Sequence, residues 1–336
     1  MELHIFDVSQ YIASGSKSLI VANGIIEDSG PFRSAEMPCG GVAYLLNTIY
    51  EFRNKDTELV YCYDRTPTVK RAMHERTFPN AGGYKGFRPK RDYSITVQRQ
   101  LAEEIIKQIG LNTVAVDSLE ADDCIASIIE YYKDSYENIY IHSKDSDLYY
   151  LVCNNVQIAP LCKPYSARDR YGNVRSIING KTINMSNWES EVVKDEIMPY
   201  NLLTIDKMCK GDYGDNIPKI SRNMKDIILG DIMQRPELYN RLGSMEFLRE
   251  YICSVTKGDA RTKDVMELII PVIAKPEEVE LNVSDLDVEL LNYYAKKFGC
   301  KYAKKFALSD NELGSRTIDK YIDMYMNEGG DTHAYN

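Results

Sequence analysis

The chain has 336 residues, of which 44% are hydrophobic and 27% are charged, an ordinary composition for a globular protein of one large or two medium domains. The N-terminal segment lacks the features of a secretory signal, and no apolar stretch approaches the roughly 20 residues of a membrane helix. The net charge of −9 argues against a simple nucleic-acid coat protein, and no membrane partner is expected.

Strands and helices alternate along the first half of the chain. Short β-branched runs ending in polar residues are typical of strands, and apolar residues at helical spacing fill the segments between them. This alternation predicts an α/β fold with a parallel sheet. The predicted strands are 3–8, 58–64, 112–118, 138–147 and 155–160, and the predicted helices are 40–54, 95–111 and 119–133.

A basic stretch interrupts this pattern between the second strand and the next helix. Residues 65–99 contain nine Lys or Arg against two acids, Glu75 and Asp92. A charge run is usually a solvated loop, but here cations alternate with aromatic residues, which suits a phosphate backbone with a stacked, unpaired base. The interleaved residues are Tyr84, Lys85, Phe87, Arg88, Lys90, Arg91 and Tyr93.

The second half is mainly helical. Helices are predicted at 198–211 and 221–233, with further helices between 236 and 310 and a loose tail at the end. The two named helices are joined by GDYGDNIP (211–218), whose composition would by itself indicate a turn.

Nine acidic residues stand out, seven of them after predicted strands and two, Asp212 and Asp215, in the turn between predicted helices. The carboxyl ends of parallel strands meet at one edge of a sheet, where ligands bind. Any one of these acids alone would be read as a helix cap or a solvated loop residue. The set is Asp7, Asp64, Glu120, Asp122, Asp123, Asp145, Asp147, Asp212 and Asp215.

So many like charges require a cation among them, because unpaired buried charges are costly. Oxygen ligands without His or Cys indicate Mg²⁺ or Mn²⁺, and two such ions about 4 Å apart would support phosphodiester cleavage by water. The eight cysteines form no C-x-x-C pair and the four histidines are scattered, so we expect reduced thiols in a cytosolic protein and no zinc site.

The order of motifs resembles the 5′ nuclease family, which includes phage 5′→3′ exonucleases, flap endonucleases and the 5′ nuclease domain of bacterial DNA polymerase I. The matching stretches are IFDVSQYI, VYCYD, YKGFRPKRD, LEADDCIASI, SKDSDLYYLV and KGDYGDNIP, across roughly residues 1–220.

The resemblance implies a PIN-like (resolvase-like) central parallel sheet flanked by helices, in a stand-alone phage-type enzyme. It places a nuclease domain at 1–195 with a basic helical arch near 65–99. A helical DNA-binding region would follow at 196–325, with a helix-hairpin-helix-like motif, and then a flexible tail at 326–336.

The resemblance also implies roles for individual residues. A first Mg²⁺ would be held by Asp7, Asp64, Glu120 and Asp122 with Asp123 close by, and a second by Asp145, Asp147, Asp212 and Asp215. Mn²⁺ is expected to substitute. In the arch, Lys85 would contact the scissile phosphate beside Arg88, and Arg71 matches another phosphate-facing arginine. Tyr84, Lys90 and Arg91 complete the DNA-binding set expected there.

One stretch departs from the family pattern. After DNIP the family continues with a glycine-rich hairpin that holds duplex phosphate, often with K⁺, whereas this chain reads KISRNMKDII. The missing glycines call the potassium site into question. Side chains would bind phosphate instead, from Lys219, Arg222 and Lys225.

The function expected is a divalent-metal-dependent 5′→3′ exonuclease and 5′ flap endonuclease acting in DNA replication, which also removes RNA primers. Its partners would be DNA with a 5′ flap or 5′ single-stranded end, an RNA–DNA hybrid, and a single-strand-binding protein or clamp. We expect a monomer in the cytoplasm of a bacterial or phage-infected cell. The alternatives are a catalytically weak structure-specific DNA-binding protein and a PIN-like ribonuclease.

Overall fold

The computed structural model describes residues 1–16, 21–26, 33–89, 92–151, 155–159, 175–178, 181–184, 190–193, 196–199, 203–235, 238, 245–282, 285–305 and 310–328. Its strands are β1 (Glu2–Asp7), β2 (Val21–Ile26), β3 (Arg33–Pro38), β4 (Thr57–Cys62), β5 (Asn112–Val114), β6 (Asn138–His142), β7 (Val156–Ala159), β8 (Arg175–Ile178), β9 (Lys181–Asn184), β10 (Ser190–Val193) and β11 (Glu196–Pro199).

Eleven α-helices lie within the described ranges. They are α1 (Val8–Gly15), α2 (Gly40–Phe52), α3 (Thr68–Thr77), α4 (Tyr93–Gln108), α5 (Ala121–Tyr132), α6 (Leu203–Lys210), α7 (Arg222–Gln234), α8 (Met245–Val255), α9 (Ala260–Ile269), α10 (Val288–Lys297) and α11 (Glu312–Glu328). Short 3₁₀ turns occur at Ser146–Leu151, Pro276–Glu278 and Lys301–Lys305. None of the described helices is both long and apolar enough to span a membrane.

The chain divides into two compact units that interleave along the sequence. The first comprises Met1–Tyr63, Lys90–Val114 and Glu280–Asn336, and the second comprises Asp64–Pro89 and Ala115–Val279. The predicted boundary near residue 195 stays a prediction, because these units are defined by contacts and not by contiguous sequence. Of the predicted tail, residues 326–328 belong to α11, and 329–336 lie outside the described residues.

The first unit is built on three parallel strands, with β4 between β1 and β5. Phe6 of β1 is opposite Tyr61 of β4, and Val60 of β4 is opposite Asn112 of β5. β1 is buried along nearly its whole length, which explains why it reads as an apolar run without alternation.

Helices of the first unit pack closely against one another. A side chain at Gly41 would place its Cβ 2.7 Å from the carbonyl oxygen of Ile12, so only glycine lets α1 and α2 approach this far. The C-terminal helix joins this unit because Tyr321 of α11 donates hydrogen bonds to Glu104 Oε2 and to the Gln100 carbonyl of α4.

The second unit contains the parallel pair β6 and β7, with Ile141 opposite Ile158, together with α3 and α5–α9. One hydrophobic core of this unit is formed by α6–α9 and also includes Phe78 and Tyr84 from the basic stretch. The basic stretch is therefore part of a core and not simply a solvated loop.

The α/β class and the parallel sheet are confirmed, and most predicted elements occur close to their predicted ends. The residue pattern alone did not predict the helix α3, although the resemblance implied a helical arch near 65–99, because two polar residues, Lys70 and His74, face inward at the spacing where apolar residues would mark a helix. The antiparallel pairs β2–β3, β8–β9 and β10–β11 were not predicted either. The helix expected from 198 begins only at Leu203, because 196–199 belong to β11.

Candidate functional site

Carboxylates from three separate places in the second unit meet in one pocket. Two come from the start of α5, one follows β6, and two belong to the turn between α6 and α7. Lysines and apolar residues line the rest of the pocket. The lining residues are Lys70, Tyr84, Glu120, Asp122, Asp147, Lys207, Asp212, Asp215, Ile217, Leu268, Ile269 and Pro271.

The start of α5 orders the first group of acids. Glu120 is the N-cap residue, and it forms a capping box with Asp123 three residues later. Asp64 adds a third carboxylate, since its Oδ1 accepts a hydrogen bond from the backbone N–H of Ala121 at 3.0 Å. Free backbone N–H groups and the helix dipole both stabilise negative charge at this end.

The GDYGDNIP segment is a tight turn whose geometry requires its sequence. Asp212 and Ile217 exchange backbone hydrogen bonds of 2.8 Å in both directions, and Asp212 Oδ1 accepts the backbone N–H of Asp215 at 3.1 Å. Gly211 has φ +77°, and a Cβ there would lie 2.7 Å from the Ile217 carbonyl oxygen. Asp212 thus shapes the turn that places Asp215 in the pocket.

Lys207 of α6 neutralises the two acids at one side of the pocket. Its ammonium group forms ion pairs with Asp147 and, at 2.7 Å, with Asp212. Burial acts to raise the pKa of Asp212, but Lys207 and backbone N–H groups hold it below its ordinary value. The pKa of Asp147 is raised, chiefly by burial and by neighbouring Asp145, in spite of the Lys207 ion pair.

Two cations of the basic stretch reach the other side of the pocket. Lys85 Nζ lies 2.5 Å from Glu120 Oε1 and 3.7 Å from Asp215 Oδ2, and Arg88 forms an ion pair with Asp215. The Tyr84 hydroxyl is within 2.9 Å of a carboxylate oxygen of both acids. Burial raises the pKa of Tyr84, as do both carboxylates, so this phenol keeps its proton.

The loop at 81–88 is fastened to the 212–217 turn mainly by Asn216. The Asn216 side-chain amide donates to the backbone carbonyl of Ala81 and, at 2.9 Å, to that of Gly83. The backbone carbonyl oxygen of Asn216 lies 2.7 Å from His74 Nε2. The backbone N–H of Lys85 donates to the Asp215 carbonyl at 3.0 Å. Lys85 and Asn216 both adopt left-handed backbone angles, with φ of 57° and 60°.

Removing the Asn216 side chain should release this loop. We expect Asn216→Gly to lower the free energy of unfolding by about 1–3 kcal/mol, because two hydrogen bonds are lost while the backbone angle stays accessible to glycine. Asn216→Ala should cost about a further 1 kcal/mol for the left-handed conformation. Urea unfolding measures both, and hydrogen exchange at the Lys85 amide should accelerate in both variants. Slow exchange at Lys85 in Asn216→Gly would contradict the assignment.

Asp123, predicted to lie near the first metal, is fully buried and is absent from the pocket lining. Its oxygens accept from the backbone N–H groups of Val272 at 2.8 Å and Glu120 at 3.1 Å, and Lys70 Nζ lies 3.0 Å away. The structure thus gives Asp123 a structural role, since it joins α3, α5 and the segment after α9. Its role as a metal ligand stays a prediction.

The Lys70–Asp123 pair should behave as a unit. Lys70→Met or Asp123→Asn alone should lower the free energy of unfolding by about 3–5 kcal/mol, because each leaves a buried charge without its partner. The double variant should lose clearly less than the sum of the two single losses. Denaturant unfolding of the four proteins provides this comparison, and additive losses would show that the two side chains act independently.

Other predicted residues lie apart from the pocket lining. Asp7, in the first unit, caps α1 by accepting from the Gln10 N–H at 3.4 Å. Asp145 accepts the Asp147 N–H at 3.0 Å beside the pocket. Arg71, Lys219 and Arg222 are exposed and Lys225 is half-buried. Lys90 and Arg91 lie outside the described residues.

Three important residues were missed by the sequence analysis: Lys70, Lys207 and Asn216. Asn216 stands inside a motif that had been singled out, so its preference for left-handed turns was an available signal. Lys70 and Lys207 gave no such signal, because only folding brings them to the acids.

Within the described ranges, no group of three or more Asp, Glu, His or Cys side chains is arranged to hold a metal ion. The physical reason is visible in the pocket, where ammonium groups lie between the carboxylates: Lys207 between Asp147 and Asp212, and Lys85 between Glu120 and Asp215. The donor chemistry fits a hard divalent cation, provided that these lysines move aside.

Comparison with known proteins finds relatives for part of the chain. The family model described as 5'-3' exonuclease, N-terminal resolvase-like domain, matches residues 28–177. A 5'-3' exonuclease of Buchnera aphidicola subsp. Schizaphis graminum is 26% identical over 145 residues, or 41% of this chain and 48% of that protein. The predicted resemblance to the 5′ nuclease family is confirmed by these matches, which cover part of the chain. The predicted resolvase-like fold class is thereby confirmed as well.

Relatives of the chain differ in the length that they share with it. The chain spans about half the length of the Buchnera relative. A 5'-3' exonuclease of Mycoplasmopsis pulmonis is 24% identical over 290 residues, covering 79% of this chain and 91% of that protein. Among solved structures, T5 D15 protein co-crystallized with metal ions aligns over 97% of this chain and 98% of that chain, with 13% identity and a TM-score of 0.48.

Proposed function

We propose that this protein is a divalent-metal-dependent 5′→3′ exonuclease and 5′ flap endonuclease that hydrolyses phosphodiester bonds of DNA. The observation that carries the proposal is the pocket itself, where acids from three elements meet two cations from a basic loop. An acidic pocket suits divalent cations, and a basic loop beside it suits the phosphate that those cations would act on.

The proposed metal ligands are Asp64, Glu120, Asp122, Asp145, Asp147, Asp212 and Asp215 of the second unit, with Asp7 and Asp123 added on the sequence motifs. Mg²⁺ is the proposed ion, with Mn²⁺ as a substitute. When bound, such ions would supply Lewis-acid stabilisation of the charge that develops on the phosphodiester.

The residues of the chain have separate tasks in this proposal. Lys85 and Arg88 exchange their carboxylate partners for substrate phosphate, which places the phosphate directly beside the acids. Tyr84 stays protonated and donates a hydrogen bond that fixes a carboxylate oxygen. The buried Lys70–Asp123 pair holds α3 and α5 together beneath the site.

The substrates proposed are DNA with a 5′ flap or a 5′ single-stranded end, and RNA primers in an RNA–DNA hybrid. Arg71, Lys219, Arg222 and Lys225 are proposed to contact the nucleic-acid backbone, because exposed cations bind phosphates without reading sequence. A single-strand-binding protein or a clamp is the proposed protein partner.

A labelled flap substrate tests the reaction. With Mg²⁺ the wild type should cut a 5′-labelled flap duplex near its junction, and EDTA should stop cutting. Asp122→Asn should reduce the rate by about 10²-fold or more, since a negatively charged ligand of the proposed metal ions is lost. Asp134→Asn, which changes an exposed acid of the same unit, is the matched control.

A blunt duplex and an RNA–DNA hybrid, run in parallel, show which substrates are cut. Flap binding without cutting under either metal would favour the structure-specific binding protein over the nuclease.

Lys207 should compete with metal ions for Asp147 and Asp212. We expect Lys207→Met to bind Mn²⁺ about tenfold or more tightly without DNA, because the ammonium group that neutralises both acids is gone. Titration of free Mn²⁺ by electron paramagnetic resonance measures this. Lys263→Met, at an exposed position of α9, controls for the loss of one positive charge. Unchanged or weaker Mn²⁺ binding would show that the two acids are not metal ligands.

A further inference from the structure

Two aromatic side chains beside the carboxylate pocket are unusually exposed. Tyr213 is 91% exposed and Phe87 is 66% exposed, the two highest values among the large hydrophobic residues that the structure describes. Single exposed apolar residues are common and need no explanation. These two differ because each belongs to one of the two loops that meet at the pocket.

Both rings are carried by backbone that is fixed in place. Tyr213 lies inside the turn closed by the mutual hydrogen bonds of Asp212 and Ile217. Phe87 lies over Gly82, where an added Cβ would come within 3.2 Å of the ring. The loops are joined directly as well, because Arg88 Nε, next to Phe87, donates to the carbonyl of Gly214, next to Tyr213, at 3.0 Å. The backbone that carries both rings is therefore ordered before binding.

The surroundings of the rings favour a nucleic acid over a protein partner. Lys85 and Arg88 flank Phe87, and Lys219 is exposed just after the turn that carries Tyr213. A protein-binding surface is expected to be depleted of charge at its centre. Aromatic rings alternating with cations instead match an unpaired strand, whose bases stack while its phosphates meet the positive charges.

We propose that Tyr213 and Phe87 form a stacking subsite for unpaired nucleobases of the substrate's single strand, next to the carboxylate pocket. This inference rests on the proposed function. It adds a means of telling a single strand from a duplex, since paired bases have no free face for either ring. Tyr84 and Tyr93, also considered from the sequence, cannot share this role in the described structure: Tyr84 is buried, and Tyr93 stacks on Tyr325.

The test measures binding of the full-length protein to a 5′-flap duplex by fluorescence anisotropy in EDTA, which prevents cutting. Tyr213→Ala and Phe87→Ala should each weaken binding about tenfold, the effect of losing one stacked base. Tyr213→Phe keeps the ring and should bind like the wild type. Leu313→Ala, which removes a 52% exposed apolar side chain from α11, is the matched control and should change nothing.

A flap with abasic sites in its first unpaired positions separates stacking from other contacts. The wild type should bind this flap about a hundredfold more weakly, because the bases for both rings are missing, and Tyr213→Ala should lose no further affinity on it. Equal wild-type affinity for the normal and abasic flaps would overturn the stacking subsite while leaving the nuclease proposal standing. Absence of any flap binding by the wild type would instead overturn the proposed function. A shift in oligomeric state of Tyr213→Ala, seen by sedimentation with unchanged DNA affinity, would assign the ring to contact between copies of the chain and refute the proposal.

Discussion

Repulsion between like charges is the constraint around which the second unit is organised. Glu120, Asp147, Asp212 and Asp215 line one small pocket, and two charges 4 Å apart interact by about 4 kcal/mol near a protein surface. The chain compensates with its own cations, and Lys207 alone contacts two of these acids. Because this pocket needs positive charge to be stable, metal ions can replace the lysine and arginine side chains beside the acids. Those side chains can then bind a phosphate. The same repulsion thus connects the stability of the unit with the chemistry proposed for it.

The compensating cations can be supplied only because two loops are locked together. Lys85 reaches the acids from a left-handed backbone conformation, which is unfavourable for a lysine. Hydrogen bonds from Asn216 and to the Asp215 carbonyl hold it there. A strained backbone conformation of this kind persists where many surrounding contacts hold it in place, often at functional sites. The same hydrogen bonds hold the backbone at Phe87 and Tyr213, whose rings are exposed.

Buried polar groups determine how the basic stretch folds. A helix whose inward face carries Lys70 and His74 would be unstable alone, and it forms because Asp123 and Asn216 provide partners for both. Asp123 in turn joins α3 to the start of α5, from which Glu120 enters the pocket. The arrangement of the acids therefore depends on a buried ion pair as much as on the strands that precede them.

The α/β class, the parallel strands and the resemblance to the 5′ nuclease family could be predicted from the residues alone, because these follow from patterns that repeat locally and from motifs read in order. The sequence also singled out Glu120, at the edge where the carboxyl ends of parallel strands meet, and Asp215, which only the order of the motifs connected with that edge. Only the tertiary structure decided which acids face the pocket and which, like Asp123, are used to hold elements together. It alone revealed the pairing of Lys207 and Lys70 with those acids, because contacts between residues distant in sequence leave no local pattern.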